Sequence, residues 1–394
     1  MAIKASDEQF VQRALELARA GIGLASPNPY VGAVIADPED RVVGTGTYTY
    51  AGVKHAEVLA LEAAGGRARD GTLYINLEPH AHQGRTPPCT DALIAAGIRR
   101  VVASMADPNP KVSGRGFEQL RAAGIEVEVG ALQDEARRLN EAFARYIRSG
   151  KPFVTLKSAM TLDGKIALSK TPGTADEYGF TGQWITSEVA RRHVHQLRHH
   201  NDAILCGVGT IVNDNPLLTD RSGRSRRRPL LRVVLDSRLR MPTESRIVQS
   251  AAAERKEDVI VFCAQPEKSK KQQLESLGLR VEQVPPDRHH PGRVDLVSVL
   301  RRLGELQITS VMIEGGTRAN SSALKGNLVD KIFFYYGPII AGCPEAAPLT
   351  ADINSESARI PRARNIRLHQ FGDDFVLEGY LRDPYNGQIS QTQN

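Results

Sequence analysis

Two short stretches early in the chain hold side chains that bind metals and move protons. The run KHAEVLAL places Glu57 two positions after His55, and the run LEPHAHQGRTPPC places eight residues between His80 and Cys89. A hydrolytic zinc site uses three protein ligands, leaves one position open for water, and needs a nearby carboxylate to move protons. These residue types therefore predict zinc on His55, His80 and Cys89, with Glu57 as the catalytic proton carrier.

The spacing of these residues narrows the chemistry. If His55 and Glu57 begin a helix, their side chains point about 200° apart around its axis, so Glu57 need not be a ligand. The pattern H-x-E is typical of zinc deaminases, which continue with P-C-x-x-C, whereas here the second and third ligand positions are farther apart. Two imidazoles and one thiolate leave Zn²⁺ with a positive charge, so we expect a more Lewis-acidic but weaker site. A site without metal, or one that uses His82 instead of His80, remains an alternative.

Two strand-to-glycine junctions later in the chain suit a phosphate-bearing ligand. In SVMIEGGTRANSSAL, Glu314 and two glycines lie between a strand and a helix, and in DAILCGVGTIVNDNPLLTDR a strand ends in a polar, glycine-rich loop. Glycines let backbone N–H groups approach a phosphate, and a helix N-terminus favours its charge. No G-x-G-x-x-G opens a βαβ unit, so a Rossmann site is not predicted. Such turns also occur without a ligand, which leaves that alternative open.

The elements that position these residues alternate between helix and strand. In the first region the patterns predict helices over 10–20, 55–66, 91–97, 116–124 and 134–150, and strands over 31–36, 72–76, 99–105 and 125–130. In the second they predict a helix over 188–200 and strands over 154–160, 202–209, 230–236, 258–264, 310–316 and 331–342. Such alternation predicts mixed or parallel sheets covered by helices. SGKPF (149–153) marks the boundary, which gives domains over 1–147 and 148–394.

Composition favours an ordinary globular protein of two or three domains. The chain has 394 residues, of which 41% are hydrophobic and 24% charged, with a net charge of +6. That mild charge suits anionic ligands and does not demand nucleic acid. We found no apolar run long enough to span a membrane and no apolar signal sequence. The four cysteines form no CxxC, which favours a reducing cytoplasm.

On these stretches the chain resembles the bifunctional deaminase/reductase family of riboflavin biosynthesis. The first region is similar in SPNPYVGAVI, HAEVLAL, TLYINLEP, HQGRTPPCTDALIAAGI and DPNPKVSGRGFEQLRAAGIEV, and the second in LKSAMTLDGKIA, QWITS, LRHHNDAILCGVGTIVNDNPLLT, RVVLDS and IEGG. That family has the long ligand spacing, although with cysteine where this chain has His80. The resemblance implies an α/β fold of two domains, a cytidine-deaminase-like three-layer α/β/α domain followed by a dihydrofolate-reductase-like α/β domain.

For the first domain the resemblance implies three substrate contacts. Asn28 would hold the pyrimidine edge, and His82 and Arg85 would contact the substrate. The family usually has histidine in a G-x-G-x-H segment, where GTGTYTYAG has Tyr48. Tyrosine can hydrogen-bond a phosphate but carries no positive charge near neutral pH. Asn28 also fits a simple Pro-Asn-Pro turn, and His82 and Arg85 also fit a solvated loop.

For the second domain the resemblance implies an NADPH site beside a ribose-phosphate site. The residues implied to line the NADPH site are Ala159, Trp184, Thr186, Thr210, Asp214, Ser237, Gly316, Thr317, Arg318, Ala319, Asn320, Ser321 and Ser322. Those implied to line the ribose-phosphate site are Lys157, Gly182, Arg198, Leu218, Arg221 and Glu314. The family commonly has serine where Gly182 stands, and Lys157 or Asp214 would handle the proton. Trp184 also fits a core position, and the stretch 170–180 fits either a lid or a surface loop.

The resulting expectation is a cytoplasmic enzyme that deaminates a phosphorylated ribosylaminopyrimidine with Zn²⁺ and then reduces its ribosyl side chain with NADPH. The apolar strand KIFFYYGPIIAG, expected near the end of a sheet, needs cover and favours a homodimer through the second domain. His80 and Tyr48 motivate an alternative in which only the reductase is active. A nucleic-acid deaminase is disfavoured because the basic residues are not interleaved with aromatics. We therefore expect no nucleic-acid or membrane partner.

Overall fold

A computed structural model of the chain describes residues 3–82, 87–167, 184–254, 256–351 and 360–385. The chain forms two compact units, one comprising Met1–Gly150 with Ser225–Arg228 and the other Lys151–Arg224 with Pro229–Asn394. Arg85, Gly182 and the stretch 170–180 lie outside the described residues. Within the described ranges, no helix combines the length and apolar character needed to cross a bilayer.

The first unit is a five-stranded sheet with order β2-β1-β3-β4-β5. β1 runs antiparallel to β2 and β3, while β3, β4 and β5 are parallel. A 3₁₀ turn, Gly65–Ala68, follows α2. The elements in chain order are α1 Ala5–Ala20, β1 Gly32–Ala36, β2 Val42–Thr47, α2 Ala56–Ala64, β3 Thr72–Ile75, α3 Cys89–Ala95, β4 Arg100–Ala103, α4 Arg115–Ala122, β5 Glu126–Val129, α5 Gln133–Leu139 and α6 Glu141–Ser149.

Strand β2 was not predicted from the sequence, and its glycines explain how α2 is positioned. A Cβ atom on Gly44 would lie 2.1 Å from the Ala60 carbonyl oxygen, and one on Gly46 would lie 2.0 Å from that of Ala56. Only glycine permits so close an approach of helix to strand. The helix that begins after His55 is therefore packed directly against the sheet.

The single helix predicted over 134–150 is wrong, because the chain breaks at Asn140 into α5 and α6. The fully buried Asn140 side chain accepts a hydrogen bond from the Tyr30 N–H at 2.8 Å and donates one to the Tyr30 carbonyl at 3.0 Å. Asparagine side chains compete in this way with helical hydrogen bonding. The competing partner is remote in sequence, so the helical pattern alone does not reveal the break.

The second unit is a nine-stranded sheet with order β11-β10-β9-β8-β12-β6-β13-β16-β15, and β7 pairs separately with β14. Its elements are β6 Phe153–Met160, β7 Lys165–Ala167, α7 Glu188–His200, β8 Ala203–Gly207, α8 Val208–Asp214, β9 Leu231–Leu235, α9 Arg246–Glu254, β10 Val259–Cys263, α10 Lys268–Ser276, β11 Arg280–Gln283, α11 Leu296–Glu305, β12 Ser310–Ile313, α12 Thr317–Lys325, β13 Lys331–Tyr336, β14 Ala347–Pro348, β15 Arg364–Phe371 and β16 Asp374–Tyr380.

The sheet is parallel from β11 to β13 and closes with the antiparallel strands β16 and β15. Apolar clusters cover both faces, with Val194 and Leu197 of α7 in one and Val299 and Leu303 of α11 in the other. The fold class expected from the sequence is confirmed as mixed α/β. KIFFYYGPIIAG lies near the end of the sheet as expected, but the expected need for cover is wrong, because β13 ends at Tyr336 and pairs on both sides.

Candidate active sites

The three predicted metal ligands meet in the first unit. His55 immediately precedes α2, Cys89 is the first residue of α3, and His80 lies in the loop after β3. The Cys89 sulfur lies 3.1 Å from His55 Nδ1, and one ligand atom from each of the three residues lies within 4.8 Å of the other two. His80 and Cys89 lie 25 and 34 positions after His55 in the chain. The three residues converge because α2 and α3 start at the same end of the sheet.

The donor atoms fit a zinc ion. His80 Nδ1 is buried and has no hydrogen-bond partner among the described residues, while its Nε2 lies 3.1 Å from His82 Nε2. Burial and the neighbouring His82 and His55 lower the pKa of His80 to about 4, so the imidazole stays neutral as a ligand must. Burial raises the pKa of the Cys89 thiol, and a cation beside it is what would keep the thiolate form.

Glu57 lies in the first turn of α2 and is 3% exposed. Burial raises the pKa of its carboxyl group, although His55, the Cys89 side chain and the backbone of His80 oppose the shift. A carboxyl group whose pKa moves toward neutrality can both accept and release a proton. Glu57 therefore lies beside the ligand cluster with a raised pKa.

Asn28 and Tyr48 form the polar neighbourhood of this cluster. The Asn28 side-chain amide donates a hydrogen bond to the Tyr48 hydroxyl, and the Tyr48 ring meets the His55 ring edge-on at 5.6 Å between centroids. Tyr48 is buried, so its hydroxyl holds the Asn28 side chain in a fixed orientation. His82 is exposed, and its ring centroid lies 3.9 Å from that of His80.

Sequence reasoning missed Glu78, which anchors the loop that carries His80. The buried Glu78 carboxylate accepts hydrogen bonds from the N–H groups of Asp107, Gly114 and Gly116 at 2.8–2.9 Å. Gly116 packs so closely that an added Cβ would lie 2.1 Å from the Pro79 carbonyl oxygen. The glycines of DPNPKVSGRG indicate that the backbone is approached closely there. The residue that approaches them, Glu78, is remote in sequence, so the pattern alone does not identify it.

In the second unit two of the residues predicted for the phosphate site, Arg198 and Glu314, meet at the carboxyl end of β12. Arg198 holds Glu314 through two hydrogen bonds of 2.8 and 2.9 Å and also donates to the Thr219 carbonyl at 3.0 Å. Burial alone would raise the pKa of Glu314, but Arg198 and Lys157 lower it to about 2. Glu314 is therefore ionised, and the pair fixes the guanidinium plane at this end of the sheet.

Lys157 lies on β6 in the same environment. Burial lowers the pKa of its ammonium group, and Arg198 lowers it further, whereas Glu314 opposes the shift. Its Nζ lies 5.5 Å from the ring centroid of Tyr335, whose hydroxyl is 2.7 Å from His193 Nδ1. Tyr335 was not predicted from the sequence. It lies on β13, the strand that pairs with β6, two residues after Phe333.

Glycines at the ends of β8 and β12 leave open space beside the backbone. Added Cβ atoms on Gly207, Gly209 and Gly316 would meet no atom within 4 Å. The Asn320 Oδ1 atom, in the first turns of α12, is buried without a hydrogen-bond partner among the described residues. Open backbone next to an unsatisfied buried oxygen fits a bound cofactor at this edge.

The remaining predicted residues of the second unit lie in the following places. Ala159 is on β6, Thr186 is buried before α7, Thr210 and Asp214 are on α8, Ser237 follows β9, Thr317, Arg318, Ala319, Ser321 and Ser322 are on α12, Leu218 is buried, and Arg221 is exposed. Ser237 accepts a hydrogen bond from the Val294 N–H at 3.0 Å. The core alternative for Trp184 is wrong, because the ring is 55% exposed and lies 4.8 Å from the Arg191 guanidinium.

Comparison with known proteins matches two family models to two separate parts of the chain. Residues 4–105 match the cytidine and deoxycytidylate deaminase zinc-binding region, and residues 152–377 match the RibD C-terminal domain. The chain is 41% identical to the riboflavin biosynthesis protein RibD of Aquifex aeolicus, covering 95% of this chain and 98% of that protein. It is 37% identical to RibD of Escherichia coli, covering 94% and 98%.

Two solved structures share the architecture over nearly the whole chain. RibD of Acinetobacter baumannii superposes with a TM-score of 0.78 at 34% identity, covering 95% of this chain and 98% of that chain. A diaminohydroxyphosphoribosylaminopyrimidine deaminase/5-amino-6-(5-phosphoribosylamino)uracil reductase from Thermotoga maritima superposes with a TM-score of 0.76 at 35% identity, covering the same shares. The likeness includes both units.

Proposed function

Because the chain belongs to the RibD family of riboflavin biosynthesis enzymes, we propose that it deaminates and then reduces a phosphorylated ribosylaminopyrimidine. It is a bifunctional enzyme with a deaminase and a reductase. The observation that carries the proposal is a relative 41% identical over 95% of the chain, a share that includes both the region matching the deaminase model and the region matching the RibD C-terminal domain. The deaminase substrate is 2,5-diamino-6-(5-phosphoribosylamino)pyrimidin-4(3H)-one. We assign the deaminase to residues 1–147 and the reductase to 148–394.

We propose that His55, His80 and Cys89 hold the zinc ion. Held by these three residues, a zinc ion would make a water molecule more acidic. Glu57 would take a proton from the attacking water and pass it to the amine that leaves as ammonia, a role that its raised pKa favours. Asn28, oriented by Tyr48, holds the edge of the pyrimidine. His82 and Arg85 contact the substrate as well.

We propose that the second unit binds NADPH along the glycine-bounded edge and the ribosyl phosphate beside Arg198. NADPH supplies the hydride that converts the ribosyl side chain to ribityl. Lys157 is a better proton donor than Asp214, because the pKa of the half-buried Lys157 ammonium group is lowered and Asp214 is exposed. Arg198 and Arg221 bind the phosphate, and Glu314 fixes the Arg198 guanidinium. Hydride transfer then depends mainly on positioning.

We also propose a cytoplasmic homodimer that assembles through the second unit, with no nucleic-acid or membrane partner. The surface that favours it is the edge strand β15 rather than β13. Ile366 and Leu368 on this strand are 52% and 71% exposed, and an exposed apolar edge requires cover. Replacing Leu368 by aspartate should shift the mass measured by light scattering toward the monomer, and an unchanged mass would contradict this interface.

Separate assays of the two half-reactions test the proposed function. The zinc-loaded protein should release ammonia from the diaminopyrimidine substrate and oxidise NADPH with the deaminated intermediate. Glu57→Gln should lose ammonia release by about 10²-fold or more while NADPH oxidation persists, and Lys157→Met should do the reverse. Absence of ammonia release from the wild-type protein, with normal NADPH oxidation, would support the reductase-only alternative.

A further inference from the structure

Four residues remote in sequence from the deaminase fold with the first unit. They are Ser225–Arg228, the last three of which are consecutive arginines, Arg226, Arg227 and Arg228. The Arg227 N–H donates to the Gly23 carbonyl at 2.8 Å, and its guanidinium carbon lies 4.0 Å from the ring centroid of Tyr50. Arg228 Nη2 donates to the Ser26 hydroxyl at 3.3 Å. Backbone and side-chain contacts thus hold these half-buried arginines in defined positions.

The arginines adjoin the substrate-orienting pair of the deaminase. Ser26 lies two residues before Asn28, and Tyr50 lies two residues after Tyr48. Asn28 and Tyr48 are hydrogen-bonded to each other, and Tyr48 contacts the ligand residue His55. Two residues of extended chain span at most about 7 Å, so the residues whose side chains hold Arg227 and Arg228 lie within that backbone distance of Asn28 and Tyr48.

We propose that Arg227 and Arg228 bind the phosphate of the deaminase substrate. This inference rests on the proposed deaminase function. At position 48 this chain has an uncharged tyrosine, and that tyrosine is buried and bonded to Asn28, so it supplies no positive charge for a phosphate. A guanidinium stacked on an aromatic ring presents its N–H groups at the edge of its plane, which is how arginine binds phosphate bidentately.

Substitution of both arginines tests the proposal in the full-length, zinc-loaded enzyme. Ammonia release is measured for the phosphorylated substrate and for its dephosphorylated ribosyl analogue. Arg227→Gln/Arg228→Gln should raise KM for the phosphorylated substrate about tenfold or more, as expected for lost charged hydrogen bonds. Its kcat, and KM for the analogue, should stay within about twofold of wild type. Arg224→Gln removes an exposed arginine of the same loop and should change neither KM.

Equal losses with both substrates, or no loss with either, would overturn the proposal, because a purely structural role does not distinguish them. Binding of both ligands is also measured by calorimetry in proteins that carry Arg198→Ala. That substitution weakens the phosphate site of the reductase, so the measured affinity reports on the deaminase. Affinity does not depend on turnover, so this measurement tests the arginines separately from the proposed activity. If the wild type binds but releases no ammonia, the deaminase proposal fails. The arginine assignment then stands or falls on whether affinity for the phosphorylated ligand alone drops in the double variant.

Discussion

Replacing Glu314 by glutamine should destabilise the second unit by about 3 kcal/mol. Glu314 and Arg198 are 12% and 14% exposed, so neutralising the carboxylate leaves the partly buried cations Arg198 and Lys157 without their counter-charge. Although burial alone would raise the pKa of Glu314, Arg198 and Lys157 hold it at about 2, against an ordinary value of 4.5. At 1.36 kcal/mol for each pKa unit, this difference corresponds to about 3 kcal/mol.

The sign of the pH dependence follows from the lowered pKa. A carboxyl group that is more acidic in the folded protein adds stability above its unfolded pKa and loses it as the pH falls through the folded value. The difference in unfolding free energy between wild type and Glu314→Gln should therefore be constant above about pH 5. It should narrow as the pH falls from 4.5 toward 2.

Urea unfolding followed by tryptophan fluorescence measures this difference. Trp184 is the single tryptophan of the chain and belongs to the second unit, so its signal reports on that unit. Glu188→Gln is the matched control, because the Glu188–Arg192 pair is 74% and 62% exposed and should contribute nothing measurable. Equal midpoints for the two variants, or a gap that stays constant in acid, would refute the reasoning.

Three further outcomes are expected. Gly116→Ala should displace the loop at Pro79 and lower the zinc content found by metal analysis. Gly66→Ala, where an added Cβ meets no atom within 4 Å, should keep the zinc content of the wild type. Equal zinc contents in the two variants would contradict the anchoring role. Tyr335→Phe removes the 2.7 Å bond to His193 and should cost about 1 kcal/mol in the unfolding of the second unit, so an unchanged urea midpoint would count against that bond. Chelation of the metal should abolish ammonia release and spare NADPH oxidation, and parallel loss of both activities would show that the metal serves more than the deaminase.

The fold was predictable where a pattern is local. The helix predicted over 188–200 is α7, Glu188–His200, because its apolar period and its Ser187 N-cap lie within one stretch. The failures share a non-local cause. The break at Asn140 depends on the backbone of Tyr30, and β13 is covered on one side by β16, a strand about forty residues later that no pattern had predicted.

By itself, the sequence determined the two-part chemistry of this protein. The sequence shows directly which residues can bind a metal, that a carboxylate lies near them, and that glycines follow the strands. These are properties of residue types and their spacing along the chain. Tertiary structure alone decided that His80 Nδ1 is the buried, unbonded atom, that Arg198 and Glu314 pair, and that Arg227 stacks on Tyr50. Such contacts join residues far apart in the chain, so their geometry depends on how sheets and helices pack rather than on local spacing.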